Sequence, residues 1–251
     1  MKHVTSYNLF ESESEPIRKV FTREQLSWLD KCTENSWKYN PSTGLVDVDG
    51  DFYCSGQNLQ DFKGVRFGTV GGSFRCYGNQ LTTLEGAPQS VKVSFYCYGN
   101  QLTTLVGAPQ TVGGDFWCHN NHLTTLVGAP QTIKRDFVCS DNGLTTLEGA
   151  PQTVGGRFRC DNNHLTSLVG APQSFKGSFI CMGNPVSETT LDAIFALMRK
   201  GMAYQQALEE HWPKMKDEDR AVLYKQMTNL PPDETRKYKA LATYANIKGY
   251  L

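Results

Sequence analysis

Residues 115–133 read DFWCHNNHLTTLVGAPQTI, and variants of this unit fill the chain from about residue 50 to residue 185. Cysteines mark the period most clearly, first 22 and then 21 residues apart, at Cys54, Cys76, Cys97, Cys118, Cys139, Cys160 and Cys181. The tetrapeptide Gly-Ala-Pro-Gln recurs in five successive units, at 86–89, 107–110, 128–131, 149–152 and 170–173. A fixed short period predicts a solenoid, in which each repeat packs only against its neighbours.

Each unit carries the pattern of one short strand. Alternation places Phe116 and Cys118 on one face and Asp115, Trp117 and His119 on the other. The Gly-Ala-Pro segment cannot continue a helix, because proline lacks an N–H and restricts the residue before it. A period of 21 residues leaves little room for a return helix. We therefore predict an extended or 3₁₀ path on the second side, with the Phe, Cys, Leu and Val positions facing inward.

The segment Phe74-x-Cys76-x-x-Asn79-x-Leu81 resembles the leucine-rich repeat signature Leu-x-Leu-x-x-Asn-x-Leu, with Phe and Cys in two leucine positions. The resemblance covers about 135 of 251 residues, and the first unit departs from it with Gln57 in place of the asparagine. It implies that the asparagines saturate backbone groups where each strand leaves the sheet, at Asn79, Asn100, Asn121, Asn142, Asn163 and Asn184. The short repeat is of the bacterial type. With its flanks, the chain most resembles leucine-rich repeat proteins of tailed bacteriophages.

The repeats divide the chain into three parts. We predict an α+β protein, a parallel β-solenoid of about seven coils at 51–185, between an N-terminal cap at 1–50 and a C-terminal helical domain at 186–251. Residues 22–25, Thr-Arg-Glu-Gln, form a capping-box pattern that opens a helix reaching about Cys32. Helical spacing follows Ser187, at Leu191, Ile194, Phe195 and Met198. These C-terminal helices either shield the last coil or engage a target themselves.

Composition excludes several classes of protein. Lys plus Arg and Asp plus Glu both total 25, so the chain lacks the basic excess of a phosphate-neutralising protein, and we expect no nucleic acid partner. No apolar run approaches ~18 residues, so no membrane span is expected. The first residues lack the apolar core of a signal peptide, which predicts a cytoplasmic protein, or one in the host cytoplasm if it is phage-encoded. No phosphate-binding, nucleophile-elbow or metalloprotease motif occurs, so we expect no enzyme.

The cysteines and histidines invite metal or disulfide interpretations that their positions do not favour. There is no Cys-x-x-Cys pair, and all seven ladder cysteines point the same way, so we predict reduced structural thiols. His119 and His122 flank Cys118, but Cys118 faces the core while His119 faces outward, so the three cannot share one ion. We expect neither a metal site nor a cofactor.

The remaining signal is the open face of the sheet. Positions three before, one before and one after each cysteine are predicted to be exposed, and they vary between repeats while the inward positions scarcely do. Aromatic and basic residues concentrate there, and these are the types that anchor protein interfaces. The candidate partner-binding residues are Tyr53, Arg75, Tyr77, Tyr96, Tyr98, Trp117, His119 and Arg159.

These residues predict a non-enzymatic scaffold that binds another protein through the concave sheet. The phage resemblance implies a host bacterial protein, such as a defence protein, as the target. A single-stranded nucleic-acid-binding module and a structural or virion-associated protein are the alternatives. The oligomeric state stays open, because the aromatic residues could also pair two copies of the chain.

Overall fold

A computed structural model describes residues 20–34, 36–166 and 168–185 of the protein. These residues comprise one helix followed by strands that coil repeatedly around a single core. The predicted C-terminal helical domain at 186–251, and most of the segment before α1, lie outside the described residues. Within the described part, no helix is long and apolar enough to cross a lipid bilayer.

The helix α1, Arg23–Thr33, closes the first coil of the solenoid. Thr22 is its N-cap, and both hydrogen bonds of the predicted capping box to Gln25 are present. The helix buries Leu29 completely and places the Trp28 ring edge-on against Phe52, with ring centroids 5.3 Å apart. This helix therefore covers apolar side chains that an uncapped first coil would expose.

The strands form two sheets. The eight-stranded sheet is ordered β1-β2-β4-β6-β8-β10-β12-β14, with β1 (Trp37–Asn40), β2 (Leu45–Val48), β4 (Phe67–Val70), β6 (Ser90–Val91), β8 (Thr111–Val112), β10 (Thr132–Ile133), β12 (Thr153–Val154) and β14 (Ser174–Phe175). The seven-stranded sheet contains β3 (Phe52–Tyr53), β5 (Phe74–Arg75), β7 (Phe95–Tyr96), β9 (Phe116–Trp117), β11 (Phe137–Val138), β13 (Phe158–Arg159) and β15 (Phe179–Ile180). Strands β1 and β2 pair antiparallel, and each later strand pairs in parallel with its counterpart one turn away.

Each turn of the solenoid has two strands, where the sequence predicted one. The second strand forms after the Gly-Ala-Pro-Gln segment, where residues such as Thr132 and Ile133 pair with Thr153 and Val154 of the next turn. The extended path predicted for this side is therefore a hydrogen-bonded sheet. The seven strands of the second sheet enclose about six full turns rather than the seven coils predicted.

The core consists of side-chain ladders that run along the solenoid axis. The repeat phenylalanines are all buried, and rings in successive turns lie close together, as at Phe116 and Phe137, whose centroids are 5.5 Å apart. The cysteines form a second ladder of free, buried thiols. The Phe and Cys positions predicted to face inward do so, because alternation along each strand separates the core face from the open face.

The asparagines of successive repeats form hydrogen bonds to the backbone where each strand leaves the sheet. The Asn121 side chain accepts a hydrogen bond from the Leu102 N–H at 3.0 Å and donates to the carbonyls of Cys97 and Cys118, both at 3.1 Å. Each asparagine thus links its own turn to the preceding one. The fold is a parallel β-solenoid with turns of about 21 residues, consistent with a leucine-rich-repeat-like fold.

Candidate protein-binding face

The open side of the seven-stranded sheet carries a contiguous set of aromatic residues in its first four strands. We call this set, together with one arginine, the aromatic face: Tyr53, Arg75, Tyr77, Tyr96, Tyr98, Trp117 and His119. The parallel register places Tyr53 beside Arg75, Arg75 beside Tyr96 and Tyr96 beside Trp117. The structure therefore brings together seven of the eight predicted site residues, and none of the seven is buried in the core.

The residues that follow the cysteines form a stack. Tyr77 and Tyr98 have ring centroids 4.5 Å apart and planes within 4° of parallel. Tyr98 and His119 repeat this geometry at 4.5 Å and 10°. Because each ring packs its face against the next, a partner meets mainly ring edges and hydroxyl groups. At the start of the stack, the hydroxyl oxygens of Tyr53 and Tyr77 are 2.6 Å apart and share a hydrogen bond.

Arg75 lies between Tyr53 and Tyr96 in the neighbouring column, on strands β3, β5 and β7. Its guanidinium carbon lies 5.8 Å from the ring centroids of both Tyr53 and Tyr96, within the range of a cation–π interaction. The same guanidinium donates a hydrogen bond to the Asp51 carboxylate at 2.6 Å. Arg75 is therefore held between two rings with its charge already neutralised.

Trp117 and His119 close the aromatic face at its fourth strand. The Trp117 ring packs edge-on against Tyr96, with centroids 5.0 Å apart. Burial lowers the pKa of His119 below its usual value, so the imidazole is neutral at pH 7. Within the described part of the chain, Trp117 Nε1 and His119 Nδ1 are shielded and have no hydrogen-bond partner.

Arg159, the eighth predicted residue, belongs to a different cluster. It lies two strands beyond Trp117 and forms an ion pair with Asp161 at 3.1 Å. Asp161 also accepts a hydrogen bond from the Ser140 hydroxyl at 2.6 Å. Burial opposes ionisation of Asp161, but these hydrogen bonds outweigh it and hold its pKa below the usual value. The ion pairs of Arg157 with Asp136 and of Arg159 with Asp161 thus lie on the open sheet beyond the aromatic face.

The positions three residues before the cysteines were predicted to be exposed, and for several of them this is wrong. Ser73, Ser94 and Asp115 are only 3%, 2% and 6% exposed. The side chains of Ser94 and Asp115 bond to the backbone of the next turn: Ser94 Oγ accepts from the Asp115 N–H at 2.9 Å, and Asp115 Oδ1 accepts from the Asp136 N–H at 3.1 Å. Most residues at this position of the repeat are Ser or Asp, whose side chains readily bond to nearby backbone. This restriction is the feature of the sequence that could have indicated their burial.

Two positions that follow the cysteines are also buried, against the prediction. Ser140 and Asp161 are 2% and 8% exposed. Their mutual hydrogen bond, together with the ion pair between Asp161 and Arg159, satisfies both side chains without solvent. The surface available to a partner is therefore narrower than the sequence suggested, and it is centred on the aromatic face.

No group of three His, Cys, Asp or Glu side chains in the described part of the protein is placed to hold a metal ion. Burial raises the pKa of Cys97 and of the other ladder thiols from Cys54 to Cys160. These thiols are protonated at neutral pH, whereas the thiolate is the nucleophilic form.

Comparisons with protein-family models, curated proteins and solved structures find no match to this chain. The repeat signature and the two-sheet solenoid therefore define the fold.

Proposed function

We propose that this protein is a non-enzymatic scaffold that binds another protein through the aromatic face. The observation that carries the proposal is the preassembled cluster of six aromatic rings and one arginine on consecutive strands of a rigid sheet. Tyr, Trp and Arg are the residues most enriched among those that dominate binding free energies. Such a cluster supplies a large contact area in one place.

Rigidity favours this use of the face. The rings are fixed by contacts with one another, and Arg75 is fixed between Tyr53 and Tyr96. Much of the side-chain entropy that binding normally costs has therefore been lost on folding, which favours affinity for a partner. Strands β5, β7 and β9 beneath these residues pair with neighbours on both sides, and β3, which ends the sheet, packs against α1 through Phe52 and Trp28, so the backbone beneath the face is held in place.

The same geometry disfavours single-stranded nucleic acid on this face. Proteins that bind single strands stack bases on free ring faces and attract phosphates with an excess of positive charge. Here the faces of Tyr77, Tyr98 and His119 are largely occupied by each other. The guanidinium of Arg75 is paired with Asp51, so it brings no unpaired positive charge.

The resemblance of the repeats to leucine-rich repeat proteins of tailed bacteriophages extends the proposal. In that setting the target is a host bacterial protein or a defence protein in the host cytoplasm, and binding inhibits it by covering a surface. A virion-associated structural role is the competing assignment. Purified phage particles probed for this protein distinguish the two, since a virion component is present in stoichiometric amounts.

Affinity capture from a nuclease-treated lysate of the host tests the proposal. The bait is the full chain, compared with a Tyr96→Ala, Trp117→Ala double variant whose fold is checked by circular dichroism. Val106→Ala is the matched control, because Val106 is an apolar residue 57% exposed outside this face. We expect a protein that the wild type and Val106→Ala retain and the double variant loses. Equal retention by all three baits overturns the aromatic face as the site.

A further inference from the structure

A notch lies on the surface of the turn that follows strand β11, outside the aromatic face. We propose that this notch binds the guanidinium group of an arginine side chain on a polypeptide partner. Its floor is Gly143, and its walls are His122, Asp141, Thr145 and His164. This site is separate from the aromatic face and does not depend on the function proposed above.

The walls of the notch come from three successive turns that stack in register. The backbone N–H groups of His122, Gly143 and His164 each donate to a carbonyl of the preceding turn at 2.9 Å. Neighbouring turns are about 4.8 Å apart, so the two histidines are about 9.6 Å apart along the axis, with Gly143 midway. Asp141 and Thr145 lie two residues before and two residues after the glycine, and both are exposed. The absent side chain at residue 143 therefore leaves a gap bounded on four sides.

The backbone at Gly143 accepts residues other than glycine. Its φ lies outside the left-handed region, and an added Cβ would make only ordinary contacts, the nearest with the Leu123 carbonyl oxygen at 3.5 Å. Other turns carry a side chain at the equivalent position: Gln80, Gln101, His122 and His164. Glycine also loses more conformational entropy on folding than these residues do. Packing therefore does not explain the glycine, whereas a ligand that occupies the gap does.

The depth of the gap, one turn between two histidines, suits a planar group. The aromatic face shows that planar side chains stack at the spacing of the turns, because Tyr98 lies 4.5 Å from the rings on either side of it. A planar group at the level of Gly143 would occupy the corresponding middle place between His122 and His164. A guanidinium group is planar and stacks on aromatic faces, whereas the ammonium group of lysine is a compact point charge.

The charge of the notch favours a cation. Within the described residues, the Asp141 carboxylate has no ion pair, and Asp141 Oδ1 accepts one hydrogen bond, from Asn162 Nδ2 at 2.9 Å. A carboxylate has about four lone-pair sites, so it can still accept the two parallel hydrogen bonds of a guanidinium group. No lysine or arginine occurs two, four or six residues after any cysteine from Cys54 to Cys160. These positions form the outward columns around the notch, so a phosphate or carboxylate ligand would find no counter-charge in them.

Histidine-selective NMR of the full chain tests the assignment. A blocked Gly-Arg-Gly peptide is titrated into the protein, with blocked Gly-Lys-Gly and free arginine as comparisons, and the His122 and His164 signals are followed. We expect saturable shifts of both signals with the arginine peptide. Its affinity should exceed that of the lysine peptide by about fivefold, as is typical of an exposed ion pair of good geometry.

The repeats supply variants that should keep the fold. Gly143→Gln fills the notch with the residue type found at Gln80, and Asp141→Asn removes the charge and leaves the residue type found at Asn162, where φ is also 54°. Each should weaken binding of the arginine peptide by about fivefold or more. Gln101→Ala, in the same column two turns away, is the matched control and should leave binding unchanged. Circular dichroism checks the fold of each variant.

The other outcomes overturn the inference. Equal binding of the two peptides, no saturable shift of either histidine signal, or unchanged binding by Gly143→Gln contradicts the guanidinium site. Free arginine that binds more tightly than the peptide assigns the notch to a small molecule and overturns the polypeptide partner. Loss of binding in the Tyr96→Ala, Trp117→Ala variant places the arginine on the aromatic face instead. None of these results decides the proposed function, which the lysate capture tests separately.

Discussion

Asn79 and Asn121 occupy equivalent positions in two turns, and each is 7% exposed, but their hydrogen bonds differ. Asn121 Oδ1 accepts from one backbone N–H, that of Leu102, whereas Asn79 Oδ1 accepts from two, those of Gln57 and Leu59. If burial alone decided the effect, substitution by alanine would lower the free energy of unfolding equally at both positions. The hydrogen bonds instead predict a larger decrease for Asn79→Ala.

The number of orphaned groups sets the size of the difference. In Asn121→Ala, the Cys97 and Cys118 carbonyls keep donors from Asn100 and Asn142, so the Leu102 N–H is the one group left without a partner. A buried unpaired group costs about 1–3 kcal/mol, so we expect Asn121→Ala to lower the free energy of unfolding by about 2 kcal/mol.

Asn79→Ala orphans the buried Leu59 N–H, the partly buried Gln57 N–H and also the Cys54 carbonyl, whose hydrogen bond comes from Asn79 at 2.9 Å. We therefore expect a loss of about 4 kcal/mol or more in the free energy of unfolding.

Urea denaturation followed by circular dichroism measures both losses. Gln101→Ala is the control, because Gln101 is exposed and its loss should change the free energy of unfolding by less than about 0.5 kcal/mol. Amide exchange adds a local readout, since the Leu102 N–H should lose protection in Asn121→Ala. Losses for the two asparagine variants that agree within about 1 kcal/mol, or a larger loss for Asn121→Ala, would refute the assignment of the cost to orphaned backbone groups.

Further predictions concern the turns, the thiols and the carboxylates. Gly113→Ala should strongly destabilise the protein, because the added Cβ would overlap the Lys92 carbonyl oxygen. Gly143→Ala should be tolerated, because its Cβ would make only ordinary contacts. Thermal melts in which Gly143→Ala is the less stable variant would contradict this packing. A thiol reagent should leave the buried cysteines unlabelled in buffer and label all eight in urea, as mass spectrometry would show. The folded-state pKa of Asp161 is lowered because its hydrogen bonds outweigh burial, so its stabilising contribution should be present at neutral pH and decline as the pH falls below about 4. Urea midpoints of Asp161→Asn should therefore vary less over this acid range than those of the wild type, and parallel profiles would contradict this.

The helical cap contains one contact that the sequence predicts and one that it does not. The capping box at Thr22 and Gln25 depends on residues three apart, so it was readable and is confirmed. The role of Gln57, which replaces the repeat asparagine in the first turn, could not be predicted from the sequence. Its longer side chain accepts from Trp28 Nε1 at 2.9 Å and thereby ties the helix to the first turn. The two residues are 29 positions apart, and only the folded chain brings them together.

The sequence by itself determined the solenoid, its period and its inward residues. Stacking identical units is the available way for each unit to bury its apolar face, and strand alternation then separates Phe116 and Cys118 from Trp117. The same alternation supplied the list of candidate binding residues.

Tertiary structure alone decided that each turn has a second strand, that Ser94 and Asp115 are buried, and that the rings of the aromatic face stack on one another. All three depend on the register between successive turns. That register brings residues about 21 positions apart to a separation of about 4.8 Å. At this distance side chains bond to the next backbone and rings stack on one another, so exposure and available chemistry are set by the neighbouring turn.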